Sequence, residues 1–398
     1  MLKPIEIQKD LLYLGVNDRN KELFETLWPL PKGVSYNSYL LLDEKTVLFE
    51  TVDICFANVF MQKLESALNG KKLDYLIINH MEPDHSGSIS ILKDRYPDIQ
   101  IVGNARTVDM VKGFYGITDN LKVIKDEEEL SLGNHTLKFY LTPMIHWPET
   151  MMTYDITDKL LFSGDAFGSF GTLDGGITDT QLDPEIYMNE MVRYYSNIVG
   201  KYGSPVQKAL EKFQNVEINT ICSTHGPIWT QKEDISKIVS IYDKLSKYEA
   251  EDGVVIAYGS MYGNTEQLAE TIAIELAKSG IRNIVMHNVS KSHSSYILRD
   301  IFKYKSLIIG SPTYNNQLYP EIESLLSKIQ NRDIKNRYFS YFGSFSWAGA
   351  AVKRIKAFAE ESNFEVIGTP IEIKYTLQES TLEQCAVLAK SIAEKLKA

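Results

Sequence analysis

Cysteine is scarce in this chain. Its 398 residues include only Cys55, Cys222 and Cys385. They stand far apart and form no C-x-x-C pair. That excludes a cysteine-ligated zinc or iron–sulfur site within one chain, and it argues against a disulfide framework. Positive charge is also in short supply: 42 Lys and Arg face 52 Asp and Glu, for a formal net charge of -10. So acidic a chain is not a non-specific binder of nucleic acid or of an anionic membrane. No apolar run approaches the roughly 20 residues needed to cross a bilayer. The start, MLKPIEIQKDLLYLG, lacks the basic segment, apolar run and cleavage site of a secretory signal. The expected location is the cytoplasm. Repeats of roughly 20–50 residues and low-complexity tracts are missing too.

What is present is globular in kind, with 44% hydrophobic and 24% charged residues. The length exceeds one ordinary core and predicts two domains. A helical stretch, Ile235 to Tyr248, and a β-rich run, Val254 to Tyr258, flank Glu249-Ala250-Glu251-Asp252-Gly253. The predicted boundary therefore separates 1–249 from 250–398. Histidine divides unevenly across it. His80, His85, His135, His146 and His225 precede the boundary, and only His287 and His293 follow.

The densest chemistry is Asn79-His80-Met81-Glu82-Pro83-Asp84-His85-Ser86-Gly87. An apolar strand, Leu73 to Asn79, leads into it, and Pro83 and Gly87 force an irregular loop. Three later segments repeat the plan of a ligand past an apolar strand. His146 follows Thr136 to Leu141, Asp165 follows Leu160 to Phe162, and His225 follows Ile218 to Cys222. If those strands share one sheet, their ends converge. Four imidazoles and three carboxylates are too many for one tetrahedral zinc. They suit two metals with one carboxylate shared, and they suit iron, manganese or zinc. His135, beside Gly133 and Asn134, lacks carboxylate company and reads as a turn residue. The run Asp126 to Glu129 reads as a solvated turn.

This spacing resembles the metallo-β-lactamase superfamily. Glu82 stands where its hydrolases carry a second histidine, and His-x-Glu-x-Asp-His is the pattern of the flavodiiron branch. The extra carboxylate makes the site harder, which suits redox-active iron. The resemblance implies His80, Glu82 and His146 on one iron, Asp84, His85 and His225 on the other, and Asp165 between them. It also implies a pocket-lining Trp147, for which core packing is the competing reading, and a proton-donating Tyr195. One departure stands out. The family's early aromatic-His-Gly word is replaced by Leu23-Phe24-Glu25-Thr26, and no histidine precedes His80.

The second half offers a strand, a hydroxyl-rich loop Ser260-Met261-Tyr262-Gly263-Asn264-Thr265, and a helix that buries Leu268, Ile272 and Leu276 and ends at Gly280. A helix N-terminus of this kind binds phosphate. It is neither a Walker loop nor a three-glycine dinucleotide fingerprint, and a monophosphate such as FMN fits better. Two more strands, Ser306 to Gly310 and Tyr338 to Phe342, lead into loops. These are Ser311-Pro312-Thr313-Tyr314-Asn315-Asn316 and Gly343-Ser344-Phe345-Ser346-Trp347-Ala348-Gly349. In a doubly wound sheet all three loops lie at the strands' carboxyl ends. Tyr314 or Trp347 can then cover a flavin ring. These words resemble flavodoxin and the flavodoxin domain of flavodiiron proteins.

The expected fold is thus α/β throughout: a metallo-β-lactamase-like αββα sandwich, then a flavodoxin-like doubly wound parallel sheet. The resemblance implies an oxidoreductase with FMN and a di-iron centre, reducing O₂ to water, NO to N₂O, or both, as oxygen or nitric oxide detoxification. It further implies a head-to-tail homodimer or a dimer of dimers. No cysteine-rich tail follows Ala398, so an external donor is expected: rubredoxin, a rubredoxin-linked NADH system or reduced deazaflavin F420. Two alternatives are weighed against it. A di-zinc hydrolase with a flavodoxin appendage would not need Glu82. A non-catalytic electron carrier would not need a complete ligand set.

Overall fold

A computed structural model describes residues 2–362 and 364–397. The chain forms two compact units. The first comprises the chain up to Tyr195 together with Ser204–Asp243. The second comprises Ser196–Gly203 and the chain from Lys244 onward.

Two sheets make the first unit. The larger has the spatial order Ile5–Gln8, Leu11–Tyr13, Tyr39–Leu41, Val47–Phe49, Tyr75–Ile77, Gln100–Gly103, Leu121–Val123. Its pairs are antiparallel up to Val47–Phe49 and parallel beyond it. The smaller runs Glu129–Ser131, Thr136–Leu141, Met151–Asp155, Leu160–Gly164, Thr220–Ser223, with only the last pair parallel. The sheets meet face to face through aromatic rings. Phe162 of the smaller sheet stacks on Phe49 of the larger at 3.7 Å and meets Tyr39 edge-on at 5.6 Å. All three are buried, and rings of this size each remove a large apolar area from water. Helices cover the outer faces. Ala57–Leu68 shows why one forms: Ala57, Phe60, Leu64, Ala67 and Leu68 recur at helical spacing and are buried, and Asn69 ends it in the left-handed region at φ 45°.

The four ligand-bearing segments do not share one sheet. Tyr75–Ile77 belongs to the larger sheet, and Thr136–Leu141, Leu160–Gly164 and Thr220–Ser223 to the smaller. The strand ends instead meet across the gap between two facing layers. His135 also departs from its reading as an isolated turn residue. It is buried, and its Nδ1 lies 2.8 Å from Asp155 Oδ2. The carboxylate is 20 positions away in sequence but faces it across an antiparallel pair.

The second unit holds one parallel sheet in the order Ile284–Asn288, Glu251–Tyr258, Tyr304–Pro312, Tyr338–Phe345, with Ile371–Lys374 beside the last. This is the doubly wound, flavodoxin-like order, and its direction of winding reverses at Glu251–Tyr258. Leu268, Ile272 and Leu276 of the helix Asn264–Lys278 are buried against this sheet and the last helix, and Gly280 follows at φ +91°. Cys222 and Cys385 are buried free thiols and Cys55 is exposed. Among the described residues no helix is long and apolar enough to cross a membrane.

Candidate functional site

The first-unit site is built on backbone that ends just short of it. Strand Tyr75–Ile77 stops, Glu82 begins a one-turn helix with Pro83 at its first position, and Asp84 and His85 lie on that turn. The turn turns two ligands inward within two residues. His146, Asp165 and His225 arrive from the three strands of the smaller sheet. All seven side chains are buried.

They form two groups. His80, Glu82, His146 and Asp165 bring ligand atoms within 4.8 Å of one another, as do Asp84, His85 and His225. Glu82 Oε2 lies 3.3 Å from His80 Nε2 and 3.2 Å from His146 Nε2. Asp84 reaches the Nε2 of His85 and of His225 at 3.4 Å each, one oxygen apiece. Asp165 serves both groups. Its Oδ2 is 3.5 Å from His80 Nε2 and 3.2 Å from His146 Nε2, and its Oδ1 is 2.9 Å from His85 Nε2 and 3.7 Å from His225 Nε2. A carboxylate with each oxygen turned to a different imidazole pair is the arrangement of a bridge.

Neighbouring groups fix the rings. His80 Nδ1 is 2.8 Å from Glu149 Oε1, which also accepts from Met81 N. His225 Nδ1 is 2.7 Å from the Ser35 carbonyl. With Nδ1 held, Nε2 is left to face the centre. Thr224 donates to Asp165 Oδ1 at 2.6 Å and Tyr194 donates to Asp165 Oδ2 at 2.9 Å. Burial drives the charges in opposite directions: it raises the Asp84 carboxyl and pushes His225 down to about 4. Asp165 is buried as well, yet the charges of His85 and His80 take it well below the ordinary range.

Among the sequence candidates, Trp147 meets His80 edge-on at 5.3 Å and His146 at 6.2 Å, so its half-buried ring walls the site. The ring of Tyr195 packs on Tyr242 at 5.0 Å, and it is the hydroxyl of Tyr194 that reaches Asp165. The word without histidine is also at the site. Phe24 meets the His225 ring at 5.5 Å and the Tyr194 ring at 6.0 Å. Next to it, Glu25 accepts from the Trp28 indole at 3.0 Å. Burial raises the Glu25 carboxyl, and the negative charge of Glu82 adds to that. Sequence reasoning missed Tyr194, Glu149 and Thr224; the only signal for Tyr194 was its position next to Tyr195.

The second unit has a cleft of about 300 Å³ at the carboxyl ends of its strands. All three sequence-predicted loops contribute: Met261, Tyr262, Asn264 and Thr265; Pro312, Thr313 and Asn315; Ser344, Phe345, Ser346, Trp347 and Ala348. Asn316 and Tyr375 line it as well, the latter from beyond Ile371–Lys374. Ser260, Gly263, Ser311, Tyr314 and Gly349 do not line it. Ser260 instead accepts from Gly263 N and Glu266 N, shaping the loop, and Ser311 accepts from Tyr319 N. Thr265 and Ser344 join two loops by a 2.8 Å hydroxyl contact. Trp347 is 89% exposed and Tyr262 90%. Aromatic rings left this bare beside a cleft suit a flat ligand.

Comparison with known proteins covers both units. Residues 34–226 match the ODP family beta lactamase model, and residues 256–388 match flavodoxin. The anaerobic nitric oxide reductase flavorubredoxin of Vibrio vulnificus is 32% identical over 98% of this chain and 79% of its own length. That of Escherichia coli O1:K1 is 32% identical over 98% and 82%. Among solved structures, the rubredoxin oxygen:oxidoreductase of Desulfovibrio gigas superposes with a TM-score of 0.95 at 30% identity, covering 99% of this chain and 98% of that one. The flavodiiron protein of Giardia intestinalis gives 0.95 at 26% identity, covering 100% and 97%.

Proposed function

The chain belongs to the flavodiiron proteins, oxidoreductases that carry FMN and a di-iron centre, and on that premise we propose that it reduces O₂ to water, NO to N₂O, or both. The first reaction takes four electrons and four protons per O₂. The second joins two NO with two electrons and two protons and releases one water. We assign the metal centre to 1–249 and the flavin to 250–398. The observation that carries the reading is Asp165, whose two oxygens each face one imidazole pair.

The residues present fit two metal ions. Both oxygens of Asp84 and the Nε2 atom of His225 are buried without hydrogen-bond partners. Orphaned acceptors that converge in this way are costly unless a cation takes them up. His80, Glu82 and His146 would hold one iron and Asp84, His85 and His225 the other, with Asp165 shared. When bound, the pair supplies one-electron redox chemistry at a Lewis-acidic centre. The protein's own part is to hold and to orient. Glu149 keeps His80 turned, Trp147 and Phe24 screen the centre from water, and the Tyr194 hydroxyl keeps a proton beside Asp165. In the second unit, the Ser260–Thr265 loop and the start of helix Asn264–Lys278 would hold the FMN phosphate, and Trp347 would cover the ring.

We assign the protein to the cytoplasm, as a head-to-tail homodimer or dimer of dimers in which one chain's flavin serves the other's metals. Its electrons come from an external donor: rubredoxin, a rubredoxin-linked NADH system or deazaflavin F420. The rubredoxin in the names of its relatives supports the first of these. The test is anaerobic turnover of the reduced protein with O₂ and NO separately, repeated with each donor. Fast flavin reoxidation by either gas supports the proposal. Ester, lactam or phosphodiester hydrolysis without gas reduction would overturn it.

A further inference from the structure

Glu50 follows strand Val47–Phe49 and is 2% exposed. It is held in the left-handed region at φ 57°, a strained conformation for a non-glycine residue. The backbone fixes it there. Its N–H donates to the Ile77 carbonyl at 3.0 Å, and its carbonyl accepts from Ser38 Oγ at 3.0 Å. One carboxylate oxygen, Oε1, accepts from Asn79 N at 2.8 Å, directly before the ligand loop. The other, Oε2, is buried with no partner.

His85 has the complementary deficit. It is fully buried, and its Nδ1 has no partner. The Nδ1 atoms of His80 and His225 each have an oxygen within 2.8 Å. The neighbour of Glu50 ties the two segments together: Thr51 donates to the His85 carbonyl through both N and Oγ1, at 2.7 Å each. The His85 ring is the foremost charged group facing the Glu50 carboxylate, and the Asn79 side chain reaches it as well. Orphaned donors and acceptors buried together are rare and satisfy one another directly or through a trapped water.

We infer that Glu50 is the positioning carboxylate of His85: its free oxygen accepts the Nδ1 proton, directly or through one buried water, and so keeps Nε2 open toward the metal. The inference rests on the metal-centre reading. It gives Glu50 two tasks, one oxygen tying the ligand loop at Asn79 and the other fixing the tautomer of His85. Carboxylate partners of this kind change metal affinity by roughly 10–100-fold when removed.

The discriminating variant is Glu50→Gln. Its amide oxygen still accepts from Asn79 N, but its NH₂ would donate toward Nδ1 and favour the Nε2–H tautomer, which cannot ligate. Metal-depleted full-length chain is titrated with zinc ion against a competing chelator. Wild type binds two zinc ions per chain. In E50Q one of the two weakens by about 10–100-fold and the other is kept. Two zinc ions at wild-type affinity in folded E50Q would overturn the inference and leave Glu50 a mere loop tie. A second measurement needs no variant. Long-range ¹H–¹⁵N correlation on the metal-depleted wild type is expected to show His85 protonated at Nδ1, and protonation at Nε2 would overturn it. Neither readout depends on gas turnover, so a failed function reading leaves the inference standing. A wild type that binds no zinc would remove the metal centre and this inference together.

Discussion

Tyr194 and Tyr195 are neighbours with opposite roles. Tyr194 ends the helix Pro184–Tyr194 and donates to Asp165, whereas Tyr195 opens a π-type turn, Tyr195–Val199, and packs on Tyr242. Adjacent helical positions point about 100° apart, so only the phase of the helix decides which hydroxyl meets Asp165. That phase is set by burial of Tyr187, Met188 and Met191, which a Tyr-Tyr pair does not reveal. The candidate cluster was legible for the opposite reason: His80 to His85 crowd four side chains able to bind metal into six residues, and His146, Asp165 and His225 each follow an apolar strand. Tyr194→Phe is expected to slow gas reduction by about 10–100-fold if its proton is used in turnover. Tyr195→Phe is expected to leave the rate within about twofold and the melting temperature close to wild type. Stopped-flow reoxidation and thermal melting of both variants check this. At Asp165, Asp165→Asn removes the charge the two half-sites share, and metal content is expected to fall below two per chain.

Among the elements, strands were readable from apolar runs but their partners were not. Register and sheet membership depend on contacts far apart in sequence. That is why the four ligand strands suggested one sheet and occupy two, and why His135 found Asp155 across a hairpin. The loops that line the cleft were readable because strand, hydroxyl loop and helix start are contiguous; Tyr375 was not, since it enters from a later strand end. Thr265→Val is expected to weaken FMN binding by about tenfold by removing a hydroxyl that helps hold two loops together, as measured by fluorescence titration. The second unit also has a buried charge cluster. Asp300 takes His287 Nε2 at 2.8 Å and Arg299 through two nitrogens at 2.7 and 3.1 Å. Burial opposes its ionisation, but His287 and Arg299 outweigh burial and lower its pKa. A carboxylate lowered on folding adds stability above its ordinary value of 3.8 and loses it as pH falls through the folded value. Asp300→Asn is thus expected to cost about 3 kcal/mol at neutral pH. The difference from wild type should shrink only below about pH 4, as followed by melting across pH.

At the scale of the whole molecule, the buried histidine–carboxylate cluster and the cleft each draw their side chains from one unit. Among the described residues, the seven side chains of the cluster all lie in the first unit and those lining the cleft all lie in the second. That separation predicts independent loss. His80→Ala combined with His225→Ala should empty the metal centre and leave one FMN per chain. The most direct test is single-turnover reoxidation of the anaerobically reduced protein by NO and by O₂, with iron and FMN counted in the same sample. The account predicts two irons and one FMN per chain, and rapid flavin reoxidation that the double variant abolishes. Two zinc ions in place of iron, with reoxidation unchanged by the double variant, would contradict it.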